Sequence, residues 1–135
     1  MYSQELIDLA LYRLEKAKKD LSDAKKTLEL EMYDTAANRS YYAIFHAARA
    51  VLALDGQDYK RHSGVISSFQ KDYIKTEIFD KQMSNIIKNA FDMRTESDYE
   101  DFYIIPKEDV KLQVAEAEFF ITNIENYLKN KNIVE

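Results

Sequence analysis

The sequence predicts an all-α protein, an up-down bundle of four main helices plus a short one. Three observations carry that expectation. Only two glycines and one proline interrupt the 135 residues, which favours long helices over a sheet. Apolar residues recur at alternating threes and fours, the helical period. The breaks between these periodic stretches are brief, and brief links place consecutive helices side by side and antiparallel. With 46% hydrophobic residues, a chain of this length closes a core without metal or disulfide staples, so residues 1–135 are expected to form a single domain.

The first helix is expected over about Ser3 to Glu31, where Leu6, Ala10, Leu14, Ala17, Leu21, Ala24 and Leu28 keep one apolar stripe. A short link around Tyr33 and Asp34 leads into a second helix, roughly residues 35–54, with Asp34 or Thr35 as its N-cap and Leu54-Asp55-Gly56 as its stop. The polar loop GQDYKRHS follows. A shorter helix runs from about Ser63 to Lys75 with Val65, Ile66, Phe69 and Tyr73 inward, and a fourth begins near Asp80. There Met83, Ile86, Ile87, Ala90 and Phe91 share a stripe that ends on Arg94. After the acidic, aromatic TESDYEDFYIIP, Pro106 marks the boundary of a last helix over about Lys107 to Lys129.

Composition limits the chemistry. The absence of cysteine rules out disulfides, thiolate metal sites and a cysteine nucleophile. The only two histidines, His46 and His62, are sixteen positions apart with no carboxylate-rich ligand motif, so no metal or other cofactor is expected. A net charge of −5 disfavours a sequence-blind nucleic-acid coat, so any contact with RNA must use a local basic patch. No stretch approaches the ~18 apolar residues of a membrane span, and the N-terminus has charges where a signal peptide would be apolar. The expectation is a cytoplasmic protein with no membrane partner.

One segment asks for a functional explanation. In AANRSYYAIFHAAR, at ~100° per residue, Arg39, Tyr42, His46 and Arg49 form a stripe roughly opposite Ala37, Tyr41, Ile44, Phe45, Ala48, Val51 and Leu52. The second set belongs in a core; the first interleaves two guanidiniums and an imidazole with an aromatic ring. Small residues beside the polar stripe, Ala43, Ala50 and Ala53, would let a helix of a second subunit approach, although packing within the monomer also explains them.

NRSYYAIFHAARAVL, HSGVISSF and AFDMRTESDY, in that order and spacing, resemble the HEPN superfamily, most closely its small stand-alone prokaryotic branch. The likeness runs from the first helix to the last. It implies an all-helical bundle, usually a homodimer, often encoded beside a minimal nucleotidyltransferase. In catalytic members an Arg and a His a few residues apart form a metal-independent RNase site at the dimer cleft, and here that pair is Arg39 and His46, with six residues between them.

The chemistry suits the pair. Seven positions bring two Cα atoms within ~20° in azimuth and about 10 Å apart along the axis, so a phosphate fits between the side-chain tips. Cutting RNA without metal needs a base near the 2′-hydroxyl, an acid for the leaving oxygen and a cation for the developing charge. An imidazole fills either proton role and a guanidinium the electrostatic one. Both side chains sit opposite the apolar stripe, so their truncation is expected to open no core cavity. Tyr42 and Arg49 lie beside them as base-stacking and phosphate-binding candidates.

Arg94 has two readings: a structural one, pairing with Asp98 at i+4, and a functional one in which Arg94, Asp98 and Tyr99 border the cleft, in line with the R-x(3)-D-Y signature of this branch. Lys60, Arg61 and His62 make the most basic loop and are candidates for RNA-backbone contact, while His62 also fits a capping or solvated role. The aromatics of SDYEDFY either pack under the last helix or dock a partner. Two function classes follow: an RNA-cleaving, toxin-like protein, or a non-catalytic helical module that binds a nucleotide or a nucleotidyltransferase.

Overall fold

The computed structural model describes residues 2–99, 101 and 103–134, and among them there is no β-strand. Five α-helices follow in order: α1 (Gln4–Glu29), α2 (Tyr33–Leu54), α3 (His62–Phe69), α4 (Lys81–Tyr99) and α5 (Lys107–Asn130). The expected all-α architecture is therefore present. Among the described residues no helix is long and apolar enough to cross a membrane.

Helix α2 is the central element, buried along nearly its whole length, with α1, α5, α4 and α3 packed around it. The turn from α1 is tighter than the spacing suggested. Glu31 adopts a left-handed conformation (φ 59), Met32 becomes the N-cap without a side-chain hydrogen bond, and the helix starts at Tyr33. Asp34 thus sits in the first turn, where its charge complements the helix dipole, rather than at the cap. At the other end Gly56 (φ 71) supplies the left-handed stop.

The third helix departs from expectation in form. It remains α-helical only to Phe69 and then widens into a π-helical turn over Gln70–Ile74. That turn carries Tyr73 into the core, where its hydroxyl lies 2.9 Å from Val51 O and 2.6 Å from an Asp55 carboxylate oxygen. Its ring stacks with Phe69 and Phe79.

Alanines set the closest contact. Ala10, Ala17 and Ala24 of α1 and Ala36, Ala43, Ala47 and Ala50 of α2 are all fully buried in the extensive packing of these two antiparallel helices. Ala43, Ala50 and Ala53 are consequently covered within one protomer, and they offer no small-residue seam for a second subunit. Helix α5 is tied on by Gln113, whose amide donates to Ala37 O at 3.0 Å and Ser40 Oγ at 2.9 Å. Ser40 therefore faces the core, away from its neighbour Arg39. Lys18–Glu125 (2.5 Å) and Lys25–Glu118 (2.6 Å) pair α1 with α5 at the surface.

Candidate functional site

From Arg39 to Ala50, the only α2 residues that are not buried are Arg39, Tyr42, His46 and Arg49. The stripe read from spacing is thus the one part of this stretch left uncovered. Short helix separation brings the flank of α1 against it. Asp20, not among the candidates read from the sequence, is buried and accepts a 3.0 Å hydrogen bond from Arg39 Nη1. Its other oxygen lies 3.8 Å from His46 Nε2. Arg39 is also steadied by Asn38, whose side-chain oxygen accepts from Nε and Nη2 at 3.1 and 2.6 Å.

His46 is less open than its azimuth suggested: its side chain is only 12% exposed, packed beside Tyr42 and Phe45. Truncating it would leave a hole, so the expectation that neither member of the pair opens a cavity holds for the partly exposed Arg39 but not for His46. The cause is α1, whose Asp20, Lys16 and Arg13 come up beside the imidazole where a lone α2 would leave it to solvent. Burial, with Lys16, Arg49, Arg13 and Arg39 nearby, pushes the His46 pKa down to about 4. The imidazole is therefore neutral at pH 7. Asp20 moves the other way: burial raises its pKa, and this outweighs the opposing pull of Arg39.

A second cluster adjoins the first. His62 opens α3 half-buried, one residue after the N-cap Arg61. Arg94 Nη1 donates to its Nδ1 at 3.2 Å, so this nitrogen is an acceptor and the Tyr41 hydroxyl, at 2.7 Å, donates to it as well. The ring proton is left on Nε2. The imidazole stacks on Phe45 with centroids 4.1 Å apart. Burial and then the charges of Arg94 and Arg49 lower its pKa, which keeps it neutral too. Arg94 has an ion pair with Asp98 at 3.5 Å and lies over the rings of Tyr41 (5.3 Å) and Tyr42 (5.6 Å). Tyr42 also meets the Arg39 guanidinium at 5.4 Å. One ring thus joins the Arg39–His46 cluster to the His62–Arg94 cluster.

A third group sits at the other end of the stripe. Arg49 Nη2 (3.0 Å) and Arg13 Nη2 (3.2 Å) share one carboxylate oxygen of Asp58 from the α2–α3 loop. Arg13 and Asp20 lie seven positions apart on the edge of the α1 apolar stripe, the spacing of Arg39 and His46 on α2. That charged pair bordering an otherwise apolar stripe was the signal available for them; Asp58 left none.

Other candidates lie outside these contacts. Lys60 and Arg61 are exposed, and their side chains have no ion pair or hydrogen bond among the described residues. Tyr99 is 84% exposed. Glu100 and Phe102 of the SDYEDFY segment lie outside the described residues.

Comparisons with known proteins find relatives along nearly the whole chain. A protein from Methanocaldococcus jannaschii named "Putative toxin" is 33% identical over 134 residues, 99% of this chain and 88% of the relative. A UPF0332 protein of Thermotoga maritima is 32% identical over 119 residues, covering 88% of this chain and 90% of its own. Another UPF0332 protein, from Archaeoglobus fulgidus, is 36% identical over 120 residues, 89% of this chain and 94% of the relative. A family model described as HEPN domain matches residues 10–127, the span that holds every residue of the three clusters. The chain belongs to the HEPN domain family.

Proposed function

We propose that this protein is the RNA-cleaving, toxin-like member of a two-component pair, acting without metal through Arg39 and His46. The observation that carries this reading is the convergence of four cations, Arg13, Lys16, Arg39 and Arg49, around one neutral histidine in a protein whose net charge is −5. Such a local reversal of charge attracts a phosphodiester, and a neutral imidazole is the form able to take a proton.

In this mechanism a phosphate enters beside Arg39, whose guanidinium stays held by Asp20 at Nη1 and turns its Nε and Nη2 edge from Asn38 to non-bridging oxygens. His46 accepts the proton of the 2′-hydroxyl as that oxygen attacks phosphorus. The bond to the 5′-oxygen breaks, this oxygen takes a proton from water, and a 2′,3′-cyclic phosphate remains; the imidazolium then returns its proton to solvent. The incoming negative charge offsets the surrounding cations and raises the His46 pKa towards a useful value, and Asp20 steadies the imidazolium once it forms. Tyr42 offers a face for base stacking.

The reading includes a cytoplasmic homodimer and a minimal nucleotidyltransferase as its partner. Leu9 and Tyr12 support the dimer: both are exposed apolar residues on the flank of α1 that carries Arg13 and Lys16, so a two-fold contact there would deepen a shallow site into a cleft. The test is purified protein, free of partner, incubated with single-stranded RNA in EDTA while its mass in solution is measured. Cleavage by a species of twice 15.9 kDa is the expected result, and a 2′-deoxy nucleotide at the scissile position should block it. Uncut RNA across varied substrates, or a monomer at micromolar concentration, would count against the reading.

Arg94 serves structure first. Arg94→Ala removes a hydrogen bond to His62, an ion pair and two ring contacts, and is expected to lower stability by about 1–2 kcal/mol, seen as a reduced thermal midpoint, while cleavage changes less. A well-folded, inactive Arg94→Ala variant would reverse the assignment and move Arg94 into the site.

A further inference from the structure

Arg13 is buried at 6% exposure, and its guanidinium and that of Arg49 meet at one Asp58 carboxylate oxygen. Burying like charges side by side costs stability, and α1 and α2 already pack through their alanines without them. Their shared counter-ion is weakly held: Asp58 stands on a loop with its side chain 65% exposed and gives both arginines the same oxygen. Donor capacity is left over, since Arg49 Nε is buried and without a partner among the described residues. Arg13 is fixed in place by its own Nη1, which donates to Arg49 O at 3.3 Å. Along α2, Arg49 is one turn beyond His46, about 4.5 Å of rise, and Arg39 lies about 10 Å the other way. Each arginine site is thus closed by an internal carboxylate, Asp20 on one side of His46 and Asp58 on the other.

We propose that Arg13 and Arg49 form a second phosphate subsite, capped in the resting protein by Asp58, which takes the phosphodiester next to the one held at Arg39 and His46. The substrate class is then a polynucleotide strand of at least two consecutive phosphodiesters, not a mononucleotide or a dinucleotide. The inference rests on the reading of Arg39 and His46 as the scissile-phosphate site. Asp58 offers the two arginines a single shared oxygen, whereas a phosphodiester entering the site presents one non-bridging oxygen to each guanidinium.

The test uses 2′-O-methyl oligonucleotides, which bind but cannot be cut because the 2′-oxygen carries no proton. Wild-type protein should bind a trinucleotide, with two phosphodiesters, about tenfold more tightly than a dinucleotide, with one. In Arg49→Gln that gain should fall to about threefold or less, and the salt dependence of trinucleotide binding should lose about one charge. Asp58→Asn should tighten trinucleotide binding. Arg13→Gln, at a buried position, serves as a second probe if it folds; Arg49, a quarter exposed, keeps the test decisive if it does not. An equal gain in wild type and Arg49→Gln overturns the proposal. So does an Asp58→Asn variant that melts earlier and binds no better, since the carboxylate would then be only a loop clamp. Cutting of RNA in EDTA without a second-phosphate gain sinks this inference alone. A gain without cutting sinks the catalytic reading and leaves the anion subsite standing.

Discussion

His46→Gln should abolish RNA cleavage in EDTA, with kcat reduced about 10²–10⁴-fold, the usual contribution of a positioned proton-transfer group. Gln is preferred to Ala because the side chain is largely enclosed and an alanine would leave a cavity. Circular dichroism and solution mass should stay at wild-type values; an equally active variant would end the catalytic reading. The wild-type pH profile adds a sharper check. In the free protein His46 titrates near 4, so the acid limb of kcat/KM should fall there, while the limb of kcat, which reports the complex, should lie higher because bound phosphate favours the imidazolium. The same shift has a stability consequence of definite sign. Above the unfolded value of 6.5 the residue is neutral in both states and contributes nothing. As pH falls from 6.5 through 4 the unfolded chain takes up a proton that the folded one refuses, and stability is lost. His46→Gln should therefore melt with a weaker dependence on pH across that window. An unchanged dependence would show that His46 is not the buried neutral group described above.

Asp20→Asn is expected to have the second-largest effect, about 10²-fold on kcat with little change in thermal midpoint. Two opposing terms explain the small stability change. The carboxylate loses its bond to Arg39, but its own desolvation, already large enough to raise its pKa against that guanidinium, is relieved. Catalysis has no such compensation. Without the carboxylate, Arg39 is left to Asn38 and the Tyr42 ring, and a misplacement of about 1 Å at a reacting group costs on the order of 10² in rate. In these terms Asp20 is a positioning residue. Its signature is a fall in kcat with the KM for single-stranded RNA nearly unchanged, together with a His46 titration moved further down in the variant. A variant that melts many degrees lower with normal kcat would make Asp20 a purely structural ion pair.

How much of this could be read from the chain differs by element, for physical reasons. The helices were legible because burial imposes a period: α1, α2 and α5 keep their apolar stripes for more than 20 residues each. The α3 end was not, since Phe69, Tyr73 and Val65 satisfy an α spacing, and it is the backbone bond from Lys75 N to Gln70 O, five residues back, that reveals the wider turn. At the site, the stripe of Arg39, Tyr42, His46 and Arg49 followed from azimuth alone. Its enclosure did not, because Phe45 and His62 meet only once α3 folds back on α2. Asp20 and Arg13 were hidden for a related reason. A charged residue beside an apolar stripe looks like an ordinary boundary position until the partner helix shows what it faces.

The alanines between α1 and α2 give the site an unusual exposure to drift. Asp is a short side chain, and it spans to Arg39 and His46 only because the helices lie as close as methyl groups permit. Ala17, Ala47 and Ala50 bear no chemistry and touch no substrate, yet each added methylene at these fully buried positions must push the helices apart or distort them. Relatives that keep every charged residue but enlarge one of these positions would carry the full set of reacting groups at the wrong separation. Under the catalytic reading proposed above, loss of cleavage can therefore begin at a residue that no inventory of functional groups would include.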